Sequence, residues 1–226
     1  MEAKQFEGET LQYLAIEPDG YDSTISYPMI ILMHGFGAGM RDLAGLCPAI
    51  DPEGYVYICP NGPIPVEVGT GATGYAWTPP RDEREAEDVE LAVDKLSVLF
   101  DEVTKAYKTE PGQVLLGGFS QGGMMTYRYG LTNPDLFKAL VILSGVAPDM
   151  DLLREMLPED RSQSVFVAHG TSDQMVGVTE ARSSLGFLEA EGYSPVYKEY
   201  GMGHEISQDV MDDLVPWIQD VLPPAV

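Results

Sequence analysis

The chain has 226 residues, of which 44% are hydrophobic and 22% charged, a composition typical of a globular fold that excludes a disordered chain. Its formal net charge is −23 at pH 7, from 36 acidic and 13 basic side chains. This charge argues against nucleic acid as a partner and against a basic membrane-docking face. It is compatible with a saline habitat of the source organism or simply with a soluble acidic surface. We expect it to disfavour strongly anionic substrates.

The predicted elements of the amino-terminal half alternate between strands and helices. In chain order they are a strand Leu11–Glu17, a buried strand Tyr27–His34, a short helix Arg41–Ile50, a strand Tyr55–Cys59, a loop rich in Gly and Pro from Pro60 to Arg81, and a helix Glu83–Tyr107. The last of these is indicated by apolar residues at helical spacing and by acidic residues in its first turns.

The carboxy-terminal half continues the alternation. It comprises a strand Gln113–Gly117, a helix from about Gln121, strands Lys138–Leu143 and Ser164–Ala168, a helix Glu180–Glu191, a strand Pro195–Tyr200 and a helix Ser207–Val221. Such βα units predict an α/β fold with a mostly parallel central sheet and helices on both faces. Because no linker or long insertion interrupts the pattern, we expect residues 1–226 to form a single domain with no separate cap domain.

The first residues, the apolar stretches and the cysteines predict the cellular compartment of the protein. The first ten residues lack a basic start followed by an apolar run, so we expect no signal peptide. The apolar stretches are strand-sized and too short for membrane insertion. Cys47 and Cys59 are the only cysteines, and two buried thiols in a reducing cytoplasm are the expected arrangement.

A candidate nucleophile follows the predicted strand that ends at Gly117. The segment Gly118–Gly122 reads GFSQG, with Ser120 between a strand and a helix. That context is what a nucleophile elbow requires, because the serine occupies a strained turn and the glycines let the backbone pass closely. The alternative interpretation is a plain glycine turn.

Serine needs a neighbouring base, and the chain has three histidines. In α/β-hydrolases the order along the chain is serine, acid, histidine, and only His204 lies late enough. It stands in a glycine-flanked loop between the last strand and the last helix, at the carboxyl edge of the predicted sheet. The alternative is a surface histidine in a glycine turn.

The acid that orients the histidine is expected at Asp173, which follows the strand Ser164–Ala168. Asp149 is the alternative, because some hydrolases carry the acid after the preceding strand. His169 is expected to support the Asp173 loop rather than to act as a second base.

An oxyanion hole is predicted after the strand that ends near Met33. We expect its two donors to be the backbone N–H groups of Phe36 and Gln121, which would stabilise a developing negative charge. His34, at the strand end, is expected to hold this loop by a hydrogen bond.

Four blocks together resemble the phospholipase/carboxylesterase family, which includes acyl-protein thioesterases and small bacterial carboxylesterases. In order they read LMHGFG from Leu32, GGFSQGG from Gly117, HGTSD from His169 and YGMGHE from Tyr200. The resemblance implies the α/β-hydrolase fold and hydrolysis of short to medium acyl esters or thioesters of small molecules through an acyl-enzyme, without metal or cofactor.

One position departs from the thioesterase branch of that family. There the second glycine of the first block is commonly followed by aspartate, whereas Ala38 follows Gly37 here. A simple carboxylesterase is therefore the first expectation, and acyl-protein thioesterase or lysophospholipase activity is the alternative. A ligand-binding protein on the same fold and an acyltransferase or perhydrolase remain further alternatives. The oligomeric state is not indicated.

Substrate-pocket residues are predicted from their neighbourhood alone. Trp77 and Tyr75, in the Pro60–Arg81 loop, and Met202, two residues before His204, are candidates for walls of an acyl pocket. The alternative for all three is core packing or anchoring of the loop.

Overall fold

Strands and helices alternate along most of this computed structural model, which describes residues 1–69, 71–110 and 112–225. The strands are β1 (Glu2–Glu7), β2 (Gln12–Glu17), β3 (Met29–Met33), β4 (Val56–Pro60), β5 (Ile64–Val68), β6 (Ala72–Ala76), β7 (Val114–Phe119), β8 (Ala139–Leu143), β9 (Ser164–Gly170) and β10 (Val196–Tyr200). The α-helices are α1 (Cys47–Ile50), α2 (Ala86–Tyr107), α3 (Gln121–Met125), α4 (Met150–Met156), α5 (Val178–Ala190) and α6 (Gln208–Val221).

Eight strands form one sheet in the order β1-β2-β4-β3-β7-β8-β9-β10. Every neighbouring pair from β4 to β10 is parallel, whereas β2 pairs antiparallel with both β1 and β4. The parallel strands therefore share one carboxyl edge, and the loops that leave β3, β7, β8, β9 and β10 meet there. Such an edge is where open α/β sheets bind ligands.

The sheet separates two hydrophobic clusters, and alternate residues of β3 show why. Met29, Ile31 and Met33 pack in one cluster, whereas Ile30 and Leu32 pack in the other. A strand buried on both faces needs a continuous apolar run, as this one has. Helices α2 and α5 contribute to the first cluster, and α1 and α6 to the second, so helices cover both faces as predicted.

The structure differs from the sequence prediction in three segments. The predicted Pro60–Arg81 loop contains the β5–β6 hairpin, strand β1 precedes the first predicted strand, and α4 follows β8. Strands β1 and β5 are mostly exposed and carry polar residues, because one lies at the sheet edge and the other packs outside the sheet. Strand β1 therefore lacks the alternation of apolar residues that marks a half-buried strand. Strand β5 does alternate, at Ile64, Val66 and Val68, but it contains Pro65 and lies in a segment rich in Gly and Pro, which favours a loop prediction.

Helix α2 begins later than predicted, whereas α3 begins at Gln121 as predicted but is short. Helix α2 begins at Ala86 rather than Glu83, because Glu85 and Asp88 form a capping box in which each side chain accepts the other's backbone N–H. Helix α3 ends at Met125, and a π-helical turn continues it over Thr126–Gly130. Within the described part of the chain, no helix is long and apolar enough to cross a membrane.

Candidate active site

The three predicted catalytic residues meet at the carboxyl edge of the sheet. Ser120 follows β7, Asp173 lies in the loop after β9, and His204 lies in the loop after β10. His204 Nε2 is 2.8 Å from Ser120 Oγ, and His204 Nδ1 is 2.7 Å from Asp173 Oδ2. Two hydrogen bonds thus connect a hydroxyl, an imidazole and a carboxylate in series.

Ser120 occupies a strained turn between β7 and α3. Its φ of 54° and ψ of −114° lie in a region that non-glycine residues rarely adopt. A Cβ atom on Gly118 would lie 2.3 Å from the Gly122 backbone, and one on Gly122 would lie 2.0 Å from Met33 O. Glycine is therefore required on both sides, because any side chain there would push the turn away from the sheet.

The hydrogen bonds of His204 define its neutral tautomer. The carboxylate of Asp173 accepts from Nδ1–H, so Nε2 carries the lone pair that accepts the Ser120 hydroxyl proton. The Phe119 ring lies 4.8 Å from the imidazole, centroid to centroid. The histidine is thus supported on one side by an aromatic ring and held at Nδ1 by a charge.

The Asp173 carboxylate has no exposed surface and is fully engaged. Its Oδ1 accepts the backbone N–H groups of Met175 and Val176, each at 2.9 Å. Burial by itself raises the pKa of this carboxyl, but the hydrogen bonds from Val176, His204 and Met175 outweigh burial and hold its pKa below the ordinary value of 3.8. Asp173 is therefore ionised at neutral pH.

Asp149 and His169, the other acidic and basic candidates, have different partners. Asp149 accepts the backbone N–H of Leu152 and so caps α4. His169 is fully buried, and its Nε2 lies 2.9 Å from Val176 O and 3.5 Å from Asp173 Oδ2. The structure thus brings Asp173, not Asp149, to His204, and His169 braces the Asp173 loop.

The two predicted oxyanion donors border the same cavity as Ser120. Among the hydrogen bonds of residues 1–69, 71–110 and 112–225, neither the Phe36 N–H nor the Gln121 N–H donates to a protein group. The β5–β6 hairpin holds the first of these loops, because Gly37 N–H donates to Tyr75 O and Tyr75 N–H donates to Ala38 O. Two backbone donors are thus available next to the hydroxyl.

Trp77 is not a wall of the substrate cavity, contrary to the sequence prediction. Its side chain is fully buried in the core, and Nε1–H donates to His34 O at 2.9 Å. Its backbone N–H donates to the side-chain oxygen of Gln121 at 2.8 Å. The side-chain NH₂ of Gln121 in turn donates to Thr78 O. Trp77 therefore links the first oxyanion loop, through its indole, to the start of α3, through its backbone N–H.

Tyr75 and Met202 also lie away from the cavity that contains Ser120. Tyr75 borders a separate depression, and its hydroxyl donates to the Gln12 side chain. Met202 is buried in the hydrophobic cluster on the α6 side of the sheet. Both predictions failed because adjacency in sequence does not define the direction of a side chain in a loop.

The cavity beside Ser120 has a volume of about 330 Å³. Its walls come from five segments that the sequence did not mark as a group: Phe36, Pro80, Arg81, Arg84, Ser120, Gln121, Met124, Ser144, Gly145, Val146, Ala147, Pro148, Asp149, Met175 and Val176. Only Phe36, Ser120 and Gln121 belong to recognisable motifs. Apolar walls with a few polar groups are typical of small-molecule sites.

His34 holds the first oxyanion loop, as expected from its position. Its Nδ1 lies 2.6 Å from Gly35 O, and its Nε2 accepts the Gly62 N–H at 2.9 Å. Burial lowers the pKa of His34 below its ordinary value of 6.5, although the Gly35 carbonyl and the Asp42 charge partly oppose this. The buried ring is therefore neutral, with its proton on Nδ1.

Acidification is expected to weaken the folded state through His34. Because its pKa is lower in the folded than in the unfolded chain, the unfolded chain binds the proton first as the pH falls. The stability that the neutral ring provides is complete above about pH 6.5 and is lost below it. Glutamine at position 34 does not titrate, and its amide oxygen can accept the Gly62 N–H.

Urea unfolding of wild type and His34→Gln at about pH 7.5 and about pH 5.5 measures this effect. We expect the free energy of unfolding of the wild type, relative to the variant, to be lower at the acidic pH. A difference that stays constant between the two pH values would contradict a neutral buried His34.

Comparisons with known proteins support an enzymatic interpretation of this geometry. A sequence model of the phospholipase/carboxylesterase family matches residues 22–222. The chain is 29% identical over 176 residues to carboxylesterase SOBER1 of Arabidopsis thaliana, covering 72% of this chain and 75% of that protein. It is 27% identical over 221 residues to acyl-protein thioesterase 1 of Mycosarcoma maydis, covering 86% and 91%. The crystal structure of esterase PE8 matches with a TM-score of 0.78 and 26% identity, over 94% of this chain and all of that one.

Proposed function

Since the chain belongs to the phospholipase/carboxylesterase family of ester-hydrolysing serine hydrolases, we propose that it is a carboxylesterase whose catalytic residues are Ser120, Asp173 and His204. The single observation that carries the assignment of residues is the series of two hydrogen bonds from Asp173 through His204 to Ser120. The comparisons confirm the predicted α/β-hydrolase fold and the predicted enzyme class.

The first step is acylation of Ser120. His204 Nε2 accepts the hydroxyl proton while Ser120 Oγ attacks the carbonyl carbon of the ester. The carbonyl oxygen becomes negative and is stabilised by the N–H groups of Phe36 and Gln121; one such donor contributes about 3 kcal/mol to the transition state. His204 then gives its proton to the leaving alcohol, and an acyl-enzyme remains.

The second step is hydrolysis of that acyl-enzyme. Water enters the position that the alcohol has left, and His204 accepts its proton as it attacks the acyl carbon. The second tetrahedral intermediate collapses, the carboxylic acid departs, and Ser120 Oγ recovers its proton from His204. Throughout, the ionised Asp173 keeps Nδ1–H oriented and stabilises the imidazolium that forms twice in each cycle.

The substrate proposed is a small-molecule ester with a short to medium acyl chain. The cavity of about 330 Å³ lies near the lower end of the range of about 300–1,000 Å³ for small-molecule sites. Because Phe36 and Met175 remain exposed at 49% and 78% at its border, part of a longer chain would stay in contact with solvent.

Acyl-protein thioesterase activity is a second candidate, favoured by the Mycosarcoma maydis relative that carries that name. Ala38, where aspartate is common in that branch, argues for the ester as the first choice. Comparing an octanoyl thioester with the matching octanoyl ester separates the two activities.

Steady-state hydrolysis of 4-nitrophenyl acetate, butyrate and octanoate tests the proposed function. We expect many turnovers per enzyme molecule, with kcat/KM falling from butyrate to octanoate because the cavity is small. One turnover followed by retention of the product would instead indicate a ligand-binding protein. Added alcohol that diverts most of the acyl group to a new ester would indicate an acyltransferase.

We further propose that residues 1–226 act as one domain in the cytoplasm. Cys47 and Cys59 are both buried as thiols, which is consistent with a reducing compartment. The mechanism requires neither a metal nor a cofactor, since the proton transfers and charge stabilisation are all carried out by groups of the chain.

A further inference from the structure

Arg84 lines the cavity beside Ser120 and also a second cavity of about 170 Å³ next to it. The two cavities share Arg84, Pro148 and Asp149, so the arginine stands where they meet. Its side chain is half-buried, and its Nη1 lies against the Met124 sulfur. A thioether is a weak acceptor for a guanidinium that has five N–H donors.

Arg84 forms no ion pair within residues 1–69, 71–110 and 112–225. This is unexpected in a chain with 36 acidic and 13 basic residues, where an acidic partner is rarely far away. The other two arginines of these cavities are paired, Arg81 with Glu180 and Arg128 with Glu90.

The carboxylates that border the two cavities are engaged elsewhere. Glu85 caps α2 and Asp149 caps α4 through their own side chains. Glu90 is bound by the Arg128 guanidinium. Of the three arginines that border these cavities, Arg84 is thus the one whose N–H donors are left largely without acceptors among the described residues.

A partly buried guanidinium without an anion is costly, because it loses hydration without gaining a partner. Burial and the neighbouring Arg81 charge lower the pKa of Arg84, while Asp88 opposes them. The group nevertheless keeps its proton at neutral pH. An anionic group on a bound molecule would supply the missing acceptors, and a guanidinium binds a carboxylate through two parallel hydrogen bonds.

We propose that Arg84 binds a carboxylate carried by the substrate, so that the preferred substrates are esters with a second, negatively charged end. This inference rests on the proposed esterase function and assigns a substrate class to the same site. It differs from the expectation that the acidic chain disfavours strongly anionic substrates, because recognition within a cavity depends on the nearest charges rather than on the net charge.

The experiment compares pairs of esters of the same shape, in which one carries a carboxylate and the other an isopropyl group at the same position. For a carboxylate on the acyl side, the pair is 4-nitrophenyl hydrogen adipate and 4-nitrophenyl 6-methylheptanoate. For a carboxylate on the alcohol side, the pair is 3-carboxyphenyl butanoate and 3-isopropylphenyl butanoate. For each pair the measured quantity is the ratio of kcat/KM for the anionic ester to kcat/KM for the neutral one.

We expect this ratio to exceed one for the wild type in at least one pair, and to fall at least tenfold (about 1.4 kcal/mol) in Arg84→Gln. Arg84→Lys keeps the charge but lacks the planar guanidinium, so its ratio is expected to lie between those of the wild type and Arg84→Gln. Arg41→Gln is the matched control, because it removes the same charge from an arginine that donates to the Gln5 side chain. Its ratio is expected to equal that of the wild type.

The pair in which the ratio falls identifies the acyl or the alcohol side of the cavity. Equal ratios in wild type and Arg84→Gln, with the neutral esters turned over, would overturn the role of Arg84 while leaving the esterase intact. Failure of the wild type to hydrolyse any of the four esters would instead refute the proposed function itself.

Discussion

Replacing Ser120 with alanine is expected to lower kcat for 4-nitrophenyl butyrate by about 10⁵-fold or more, because removing the nucleophile prevents formation of the acyl-enzyme. The residual rate would come from the oxyanion donors and the cavity, which remain intact. Alanine keeps the same backbone strain as serine, so we expect the unfolding midpoint to change little.

Ser144 provides a demanding comparison for this variant. It borders the same cavity, is fully buried and shares the positive φ of Ser120, at 51°. Its hydroxyl, however, has no hydrogen-bond partner in the described part of the chain, whereas His204 Nε2 is bonded to Ser120 Oγ. We expect Ser144→Ala to lower kcat by less than about tenfold; a loss equal to that of Ser120→Ala would mean that the nucleophile has been assigned wrongly.

Replacing Asp173 with asparagine is expected to lower kcat by about 10⁴-fold with little change in structure. The amide oxygen can still accept the Met175 and Val176 N–H groups, so the loop should stay in place. What is lost is the negative charge that stabilises the imidazolium, and the amide also permits the tautomer in which Nε2 carries the proton. That tautomer cannot accept the Ser120 proton.

Asp149→Asn is the matching substitution at the alternative acid. Asparagine caps a helix as well as aspartate does, so α4 should be retained and kcat should change by less than about tenfold. Single-turnover kinetics of both variants with 4-nitrophenyl butyrate measure the acylation step directly. A larger loss in Asp149→Asn than in Asp173→Asn would overturn the assignment of the acid.

The residues around the nucleophile could be predicted because local steric rules define them. A strand that turns sharply into a helix at Ser120 leaves no room for side chains at Gly118 and Gly122, and this requirement is visible in five consecutive residues. The order of strands in an α/β fold then limits where the acid and the base can lie. His204 and Asp173 follow from that order rather than from their own neighbours.

The cavity could not be predicted in the same way. Its walls come from segments whose side-chain directions depend on the packing of loops, and Trp77 illustrates the difficulty. A large aromatic residue in a long loop fits a pocket wall and a core anchor equally well, and only the structure distinguishes them, through the complete burial of Trp77 and the hydrogen bond from its indole to His34 O. Arg84 belongs to no motif, and its significance lies in the absence of an ion pair with any carboxylate among the described residues.

The arrangement of the candidate triad has a consequence for how activity arises during folding. Ser120 and His204 are 84 residues apart in sequence, and His204 follows β10, the edge strand of the sheet, which pairs with β9. Contacts of such long range form late, because the chain entropy of closing long loops must be overcome first. We therefore expect a ribosome-bound chain that lacks its last strand to be inert, and refolding molecules to regain helical signal before they regain turnover. Enzyme activity would then report completion of the whole fold rather than of its amino-terminal part.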